Sequence, residues 1–152
     1  MIRVQEKDFD VGLELSRMTE NHHEVGAQSV FVGLVRDMAN TGKISSMTLE
    51  HYPGMTEKQL ATIEEEAHKR WSLNDVLIIH RFGILQPGDR IVLVATTSPH
   101  RTASLESCQF IIDWLKTKAP FWKLESGPLG EVWVDSQEKD ERAAIKWDTE
   151  DS

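Results

Sequence analysis

The sequence holds a single cysteine, Cys108, among 152 residues. One thiol cannot form an intrachain disulfide, and a shortage of cysteine is typical of proteins in reducing compartments. No apolar run approaches the roughly 18 residues that a membrane-spanning helix needs. The sequence "MIRVQEKDFD" at the start also lacks the basic and apolar regions of a secretory signal. We therefore expect a cytoplasmic protein that does not interact with membranes.

Excess positive charge is also missing, because the formal net charge is −8. Binding to nucleic acid without sequence preference depends on a basic surface that displaces counterions, so that function is not expected. The GxGxxG and GxxxxGK[ST] loops that hold phosphates in nucleotide enzymes are absent as well. An anionic ligand would therefore have to bind at a local basic patch.

What the sequence does contain is the composition of one globular domain, with 39% hydrophobic and 28% charged residues. We expect a single domain over residues 1–152, with a flexible acidic end at 148–152. Runs of β-branched and apolar residues predict strands within 29–36, 45–52, 75–83 and 91–98, and two short strands after Pro120. Helical periodicity predicts two main helices and a final surface helix. This order favours an α+β domain with a mixed or antiparallel sheet.

The two main helices have expected starts and faces. Thr56 followed by Gln59 is a capping-box pattern that opens the first helix, which should run to about Trp71. Ser98 and Pro99 suit the N-cap and first position of the second helix. Apolar residues at helical spacing predict that one stripe of the second helix faces a core: Leu105, Cys108, Ile111, Ile112 and Leu115.

The stretch "KTKAPFWK" places three lysines beside two aromatic rings in an acidic chain. Pro120 disfavours helical geometry at the preceding residue, so the second helix should end near Lys118 and the chain should fold back. Lys116 could then approach Lys123, which shares a strand face with Phe121. Such a pocket suits a planar anionic ligand, and desolvation would make the lysines candidate bases or nucleophiles. Lys118 is more simply a helix-end charge.

A second basic group lies at the start of the same helix, in "SPHR". His100 and Arg101 oppose the helix dipole there, which predicts a nearby anion. A continuous helix would separate His100 from Lys116 by about 24 Å. Either the two ends form distinct sites, or a symmetric dimer brings them together, which we favour. Arg36 closes the first predicted strand and could add a third basic contribution.

Other chemistry finds less support. His22 and His23 lack metal-ligand spacing, and His51, His68 and His80 look isolated along the chain, so no metal site is expected. Cys108 lies on the apolar helical stripe and is interpreted as a core residue. A small hydrolase using Ser98 and His100 remains an alternative, as does a module that binds an anionic metabolite or a ubiquitin-like tail without catalysis.

Five motifs together resemble the large, catalytic subunit family of molybdopterin synthase: "FVGLVR", "LEHYPGMTEK", "IIHRFGILQPGD", "TSPHR" and "LKTKAPFWKLE", followed by "AAIKW". The resemblance covers roughly residues 25–147. It implies an α+β, hammerhead-like fold and a homodimer at the centre of a heterotetramer. Each partner would be a small ubiquitin-like sulfur carrier with a C-terminal Gly-Gly thiocarboxylate. Two sulfurs would pass from it to cyclic pyranopterin monophosphate and form the dithiolene of molybdopterin, with no metal or organic cofactor.

The resemblance also implies residue roles. Lys116 and Lys123 match the active-site lysines, and His100 with Arg101 match the pair that binds the substrate anion. The remaining predicted substrate-binding residues are Leu34, Val35, Arg36, Phe121, Leu124 and Glu125.

Overall fold

The helices and strands can be placed along the chain with their bounds. The computed structural model describes residues 1–39, 42–128, 130–134 and 138–148. Within these residues the strands are β1 (Ile2–Gln5), β2 (Ala27–Leu34), β3 (Met38–Ala39), β4 (Gly42–Lys43), β5 (Ser46–His51), β6 (Asp75–Arg81), β7 (Gly83–Leu85), β8 (Arg90–Ser98), β9 (Phe121–Gly127) and β10 (Gly130–Val134). The helices are α1 (Val11–Thr19), α2 (Met55–Arg70), α3 (Arg101–Lys118) and α4 (Glu138–Ile145).

The first sheet has the order β1-β6-β8-β2, with β1 parallel to β6 and the other neighbours antiparallel. Side chains alternate across its strands, so Val76 and Ile78 join the core beneath α2 and α3 while Leu77 and Ile79 pack with α1. Every residue from 91 to 98 in β8 is buried. β8 is therefore a central strand covered on both faces, and the strand predicted within 91–98 is confirmed.

The second sheet is antiparallel and has the order β10-β9-β5-β7. β9 pairs with β5 so that His51 lies opposite Phe121 and Leu49 lies opposite Lys123. β3 and β4 form a separate small hairpin. The described residues therefore form two four-stranded sheets and a small hairpin, and the α+β prediction with mixed and antiparallel strands is confirmed.

The last helix is less of a surface element than expected. α4 packs on α3, and Ala144 and Trp147 are buried. The indole Nε1 of Trp147 donates to Asp113 Oδ2 at 2.7 Å. No helix in the described part of the chain is both long and apolar enough to cross a bilayer. Within the acidic end at 148–152, residues 149–152 lie outside the described residues.

Several sequence expectations need correction. β1 and α1 were not predicted, and α1 is capped by Asp10, whose Oδ1 accepts from Leu13 N at 3.0 Å. The predicted capping box of Thr56 and Gln59 does not form: α2 is preceded by Gly54, which has no side-chain cap, and Glu57 accepts from Gly54 N at 2.7 Å. Leu105 is 61% exposed, so the apolar stripe of α3 starts at Cys108.

Candidate functional site

The turn after α3 brings two of the predicted lysines near each other. α3 ends at Lys118, and Ala119 has extended backbone with φ −81° and ψ 134°, as expected for a residue before proline. Phe121 N then donates to Ala119 O at 2.9 Å, and β9 starts there. Lys116 thus lies in the last turn of α3, and Lys123 lies two residues into β9. The predicted helix end and reversal are confirmed.

Beneath these lysines lie two histidines around one phenylalanine. The ring of His80 stacks on Phe121 with centroids 3.6 Å apart and an angle of 15° between planes. The ring of His51 lies 6.2 Å from Phe121 and 4.4 Å from Phe82 between centroids. His51 and His80 are isolated along the chain, but strands far apart in sequence bring them to the same ring.

The pKa of His80 depends on its burial and on the charges around it. Burial lowers the pKa of His80 from 6.5 to about 3, although a hydrogen bond to the Arg81 carbonyl partly opposes this. The charges of Lys116 and Lys123 lower the same pKa further, as does His51. Both ammonium groups therefore act on one imidazole ring. Both lysines are half-buried.

Lys118 has a different environment from the other two lysines. Its Nζ lies over the ring of Trp114, 4.5 Å from the centroid. This cation–π contact holds the ammonium group on the outside of α3, where Lys118 is exposed. The geometry agrees with the interpretation of Lys118 as a helix-end charge.

The residues that follow Lys123 point to opposite faces of β9. Glu125 is 8% exposed and shares the face of Lys123 and Phe121, because side chains alternate along a strand. It lines a cavity of about 160 Å³ together with Ile44 and other residues of the β3–β4 and β9–β10 hairpins. Leu124 lies on the other face, between Thr48 and Trp133 in register. Of the two predicted substrate contacts, Glu125 is the one on the lysine side.

Arg36 leaves the first sheet at the lysine end of the molecule. Val92 of β8 lies between His80 of β6 and Gly33 of β2 in register, so these three residues form one row across the sheet. Arg36 follows that row by three residues and is exposed, as is Leu34. The register thus places Arg36 at the end of the sheet where β6 ends with His80 and Arg81.

Val35 has a packing role between these two exposed residues. Its side chain is 3% exposed in the main core, its N–H donates to Asp89 O at 2.9 Å, and its carbonyl accepts from Gly88 N at 2.8 Å. Its predicted contact with substrate stays a prediction.

The other basic group, His100 and Arg101, lies at the opposite end of α3. Both are exposed, and His100 is the N-cap residue but makes no cap hydrogen bond with its side chain. Gly26 allows this segment to approach, because a Cβ on Gly26 would lie 2.1 Å from Pro99 O. The helix starts at Arg101, two residues later than predicted, because Ser98 still belongs to β8.

The buried position of Ser98 speaks against the hydrolase alternative. Ser98 is 1% exposed, and its Oγ donates to Ser72 O at 3.1 Å while accepting from His100 N at 3.2 Å. A nucleophile needs an accessible oxygen and a base that takes its proton. Here the hydroxyl proton is directed to a carbonyl and the imidazole of His100 is exposed elsewhere.

The two basic groups do not meet within one chain. α3 is continuous over 18 residues, which separates Arg101 from Lys116 by about 22 Å along the axis. In the described residues no group of three or more His, Cys, Asp or Glu side chains could hold a metal ion. One chain therefore has two half-buried lysines at one end of α3 and an exposed basic pair at the other.

Comparison with known proteins gives a consistent result. A profile of the family described as MoaE protein matches residues 4–118. Proteins named molybdopterin synthase catalytic subunit are 51% identical in Ralstonia nicotianae, covering 96% of this chain and 83% of that protein, and 49% identical in Escherichia coli, covering 96% and 97%. A solved structure described as the molybdopterin biosynthesis MoaE protein from Burkholderia ambifaria superposes with a TM-score of 0.84 at 47% identity, covering 98% of both chains.

Proposed function

This chain belongs to the MoaE protein family, and on that premise we propose that it is the catalytic subunit of molybdopterin synthase. It transfers two sulfurs from a thiocarboxylated small partner to cyclic pyranopterin monophosphate and forms the dithiolene of molybdopterin. The observation that supports the proposal is the turn at Pro120, which leaves Lys116 in the last turn of α3 and Lys123 on the strand that starts at Phe121, the ring that stacks on His80.

The substrate matches this pocket in charge and shape. Cyclic pyranopterin monophosphate combines a flat ring system with a phosphate, and the chain has a net charge of −8, so the anion needs a local basic site. The exposed guanidinium of Arg36 is a candidate phosphate ligand at the lysine end. The ring of Phe121 supplies an aromatic surface for the pterin, and Leu34, Leu124 and Glu125 are proposed to line the neighbouring surface.

Lys116 and Lys123 are the proposed catalytic residues. An ammonium group stabilises the thiocarboxylate of the partner's tail and the negative charge that develops as sulfur is transferred. A lysine in a half-buried aromatic setting can also donate or accept a proton during the transfer. The donor is proposed to be the C-terminal Gly-Gly tail of a small ubiquitin-like subunit, because the relatives are named as subunits of a synthase.

A second copy of the chain is proposed to complete the pocket. His100 and Arg101 are too far from Lys116 along α3 to reach the same ligand. In a symmetric dimer each copy can present this pair to the lysines of the other. We propose a homodimer at the centre of a heterotetramer, acting in the cytoplasm, with residues 1–152 as one functional unit.

Reconstitution tests the proposed function. The purified chain is mixed with thiocarboxylated partner and cyclic pyranopterin monophosphate, and the dithiolene product is measured. Product formation is expected. Its absence, with partner that carries the thiocarboxylate and with intact substrate, would refute the proposal that this chain is the enzyme. Partner binding is measured in parallel for Lys116→Ala, because a variant that binds the partner but forms no product separates a catalyst from a passive binding module.

A further inference from the structure

We propose that His80 is a positioning residue of the lysine pocket, one that holds Phe121 and thereby the start of β9 with Lys123. The inference rests on the proposed function, because it assigns His80 to the same sulfur-transfer site. His80 does not lie in "KTKAPFWK" or "SPHR", and it belongs to a strand that is otherwise apolar from Val76 to Ile79.

The His80–Phe121 stack connects the two sheets at the site. His80 belongs to β6 of the first sheet, and Phe121 is the first residue of β9 in the second sheet. Their rings are nearly parallel and 3.6 Å apart between centroids, with His80 only 5% exposed. The ring of His51 flanks Phe121 from β5, its register partner. Phe121 is therefore held from both sheets.

The orientation of the His80 ring is set by its surroundings. Nδ1 lies 2.8 Å from the carbonyl oxygen of Arg81, so Nδ1 carries the proton and donates it. The Arg81 guanidinium is itself anchored, because Nε donates to Glu6 O and Nη1 donates to Arg90 O, both at 2.9 Å. These contacts fix the end of β6, and with it the plane on which Phe121 stacks.

The position of Phe121 controls that of Lys123 because of the turn. Only Ala119 and Pro120 separate the end of α3 from Phe121, and Lys123 shares the strand face of Phe121. A shift of the Phe121 ring therefore moves the start of β9 relative to Lys116. A neutral ring suits this place, since a charged imidazole would add a third cation beside two lysines. A catalytic group displaced by about 1 Å can cost up to roughly a hundredfold in rate.

The test compares His80→Leu with His80→Phe in the reconstituted complex. Both variants leave the Arg81 carbonyl without its donor, but only His80→Phe retains a ring that can stack. We expect His80→Leu to lower kcat by about ten- to a hundredfold and to raise KM for the pterin, because the displaced Phe121 ring is also the proposed pterin surface, and we expect His80→Phe to recover most of both changes. Ile78→Val, which removes one buried methylene on the same strand, is the control for lost stability and should retain the wild-type kcat.

A double-mutant cycle keeps the inference testable if one variant is unstable. If His80 acts through the stack, Phe121→Leu and His80→Leu together should lower kcat little more than Phe121→Leu alone. Additive losses, an unchanged kcat in His80→Leu, or no recovery in His80→Phe would each overturn the inference. An inactive wild type would instead refute the proposed function, while ¹⁵N NMR of the histidines still reports whether His80 holds the Nδ1-protonated tautomer.

Discussion

The two ends of α3 both carry cations, yet they are built in opposite ways. At the C-terminal end Lys116 is half-buried, Lys118 lies over Trp114, and positive charge complements the helix dipole. At the N-terminal end His100 and Arg101 are exposed and oppose the dipole, and the first turn contains no acidic residue. The cations at the C-terminal end stabilise the fold of the free chain, whereas those at the N-terminal end destabilise it.

This difference fits the proposed dimer, in which one chain supplies the lysine end and the partner copy supplies His100 and Arg101. At the lysine end one chain supplies the Phe121 ring, the His80 ring that stacks on it and the hydrogen bond that orients His80. The N-terminal pair has no compensating anion in its own first turn, so its charge is useful when a ligand brings one. Variants at each end of α3 test this difference.

The largest effect is expected from removing a lysine at the lysine end. Lys116→Ala or Lys123→Ala should lower the rate of product formation by about 10²- to 10⁴-fold, because proton transfer and charge stabilisation are both lost. The measurement is single-turnover formation of the dithiolene in the reconstituted complex. Lys118→Ala is the matched control on the same helix turn, and it should retain activity because its ammonium group rests on Trp114. An equally large loss in Lys118→Ala would contradict the distinction between the lysines.

The second prediction joins the two ends in one experiment. A dimer purified with two different tags contains one Lys116→Ala chain and one Arg101→Ala chain. If each pocket uses the lysines of one copy and the basic pair of the other, one pocket of the two is intact and about half of the wild-type activity returns. The parent homodimers should be nearly inactive. Failure to recover activity in the mixed dimer would favour a site made by a single chain.

The third prediction concerns stability at the lysine end. The pKa of His80 is about 3 in the fold, against 6.5 for a free ring, chiefly because of burial. Between these values the unfolded chain binds the extra proton, so wild-type stability should fall as pH drops below about 6.5, by up to about 1.4 kcal/mol per pH unit. His80→Phe should flatten that decline, as measured by urea unfolding from pH 7 to 4.5. Ile78→Val should only displace the curve in parallel, and an unchanged slope in His80→Phe would contradict the assignment.

The structure of the lysine end could be predicted from the sequence because it depends on local signals. Pro120 ends the helix at a defined residue, and strand alternation puts Phe121 and Lys123 on one face. The spacing along α3 also exposed the separation of His100 from Lys116. These inferences need only helix rise, strand period and proline geometry, which act within a few residues.

The parts that were missed depend on pairing between distant strands. His80 and His51 meet at Phe121 because β6, β5 and β9 are brought together by two sheets, and no local pattern carries that register. Ser98 looked like a helix cap, but pairing with Ala27 keeps it in β8. The histidine within an apolar strand was the available signal for His80, since a buried imidazole needs a partner.

The smallest effect is expected at the exposed end. Arg101→Gln should stabilise the free chain by about 0.3 to 1 kcal/mol at low salt, because it removes a cation from the positive end of the α3 dipole. Arg101→Lys keeps the charge and is the matched control, and salt should reduce the difference between the two variants by screening. Urea unfolding measures both. A less stable Arg101→Gln would mean that the guanidinium already has a favourable partner in the free chain. If Arg101→Gln is more stable and also binds the pterin phosphate more weakly, the positive charge of Arg101 contributes to ligand binding at the expense of stability.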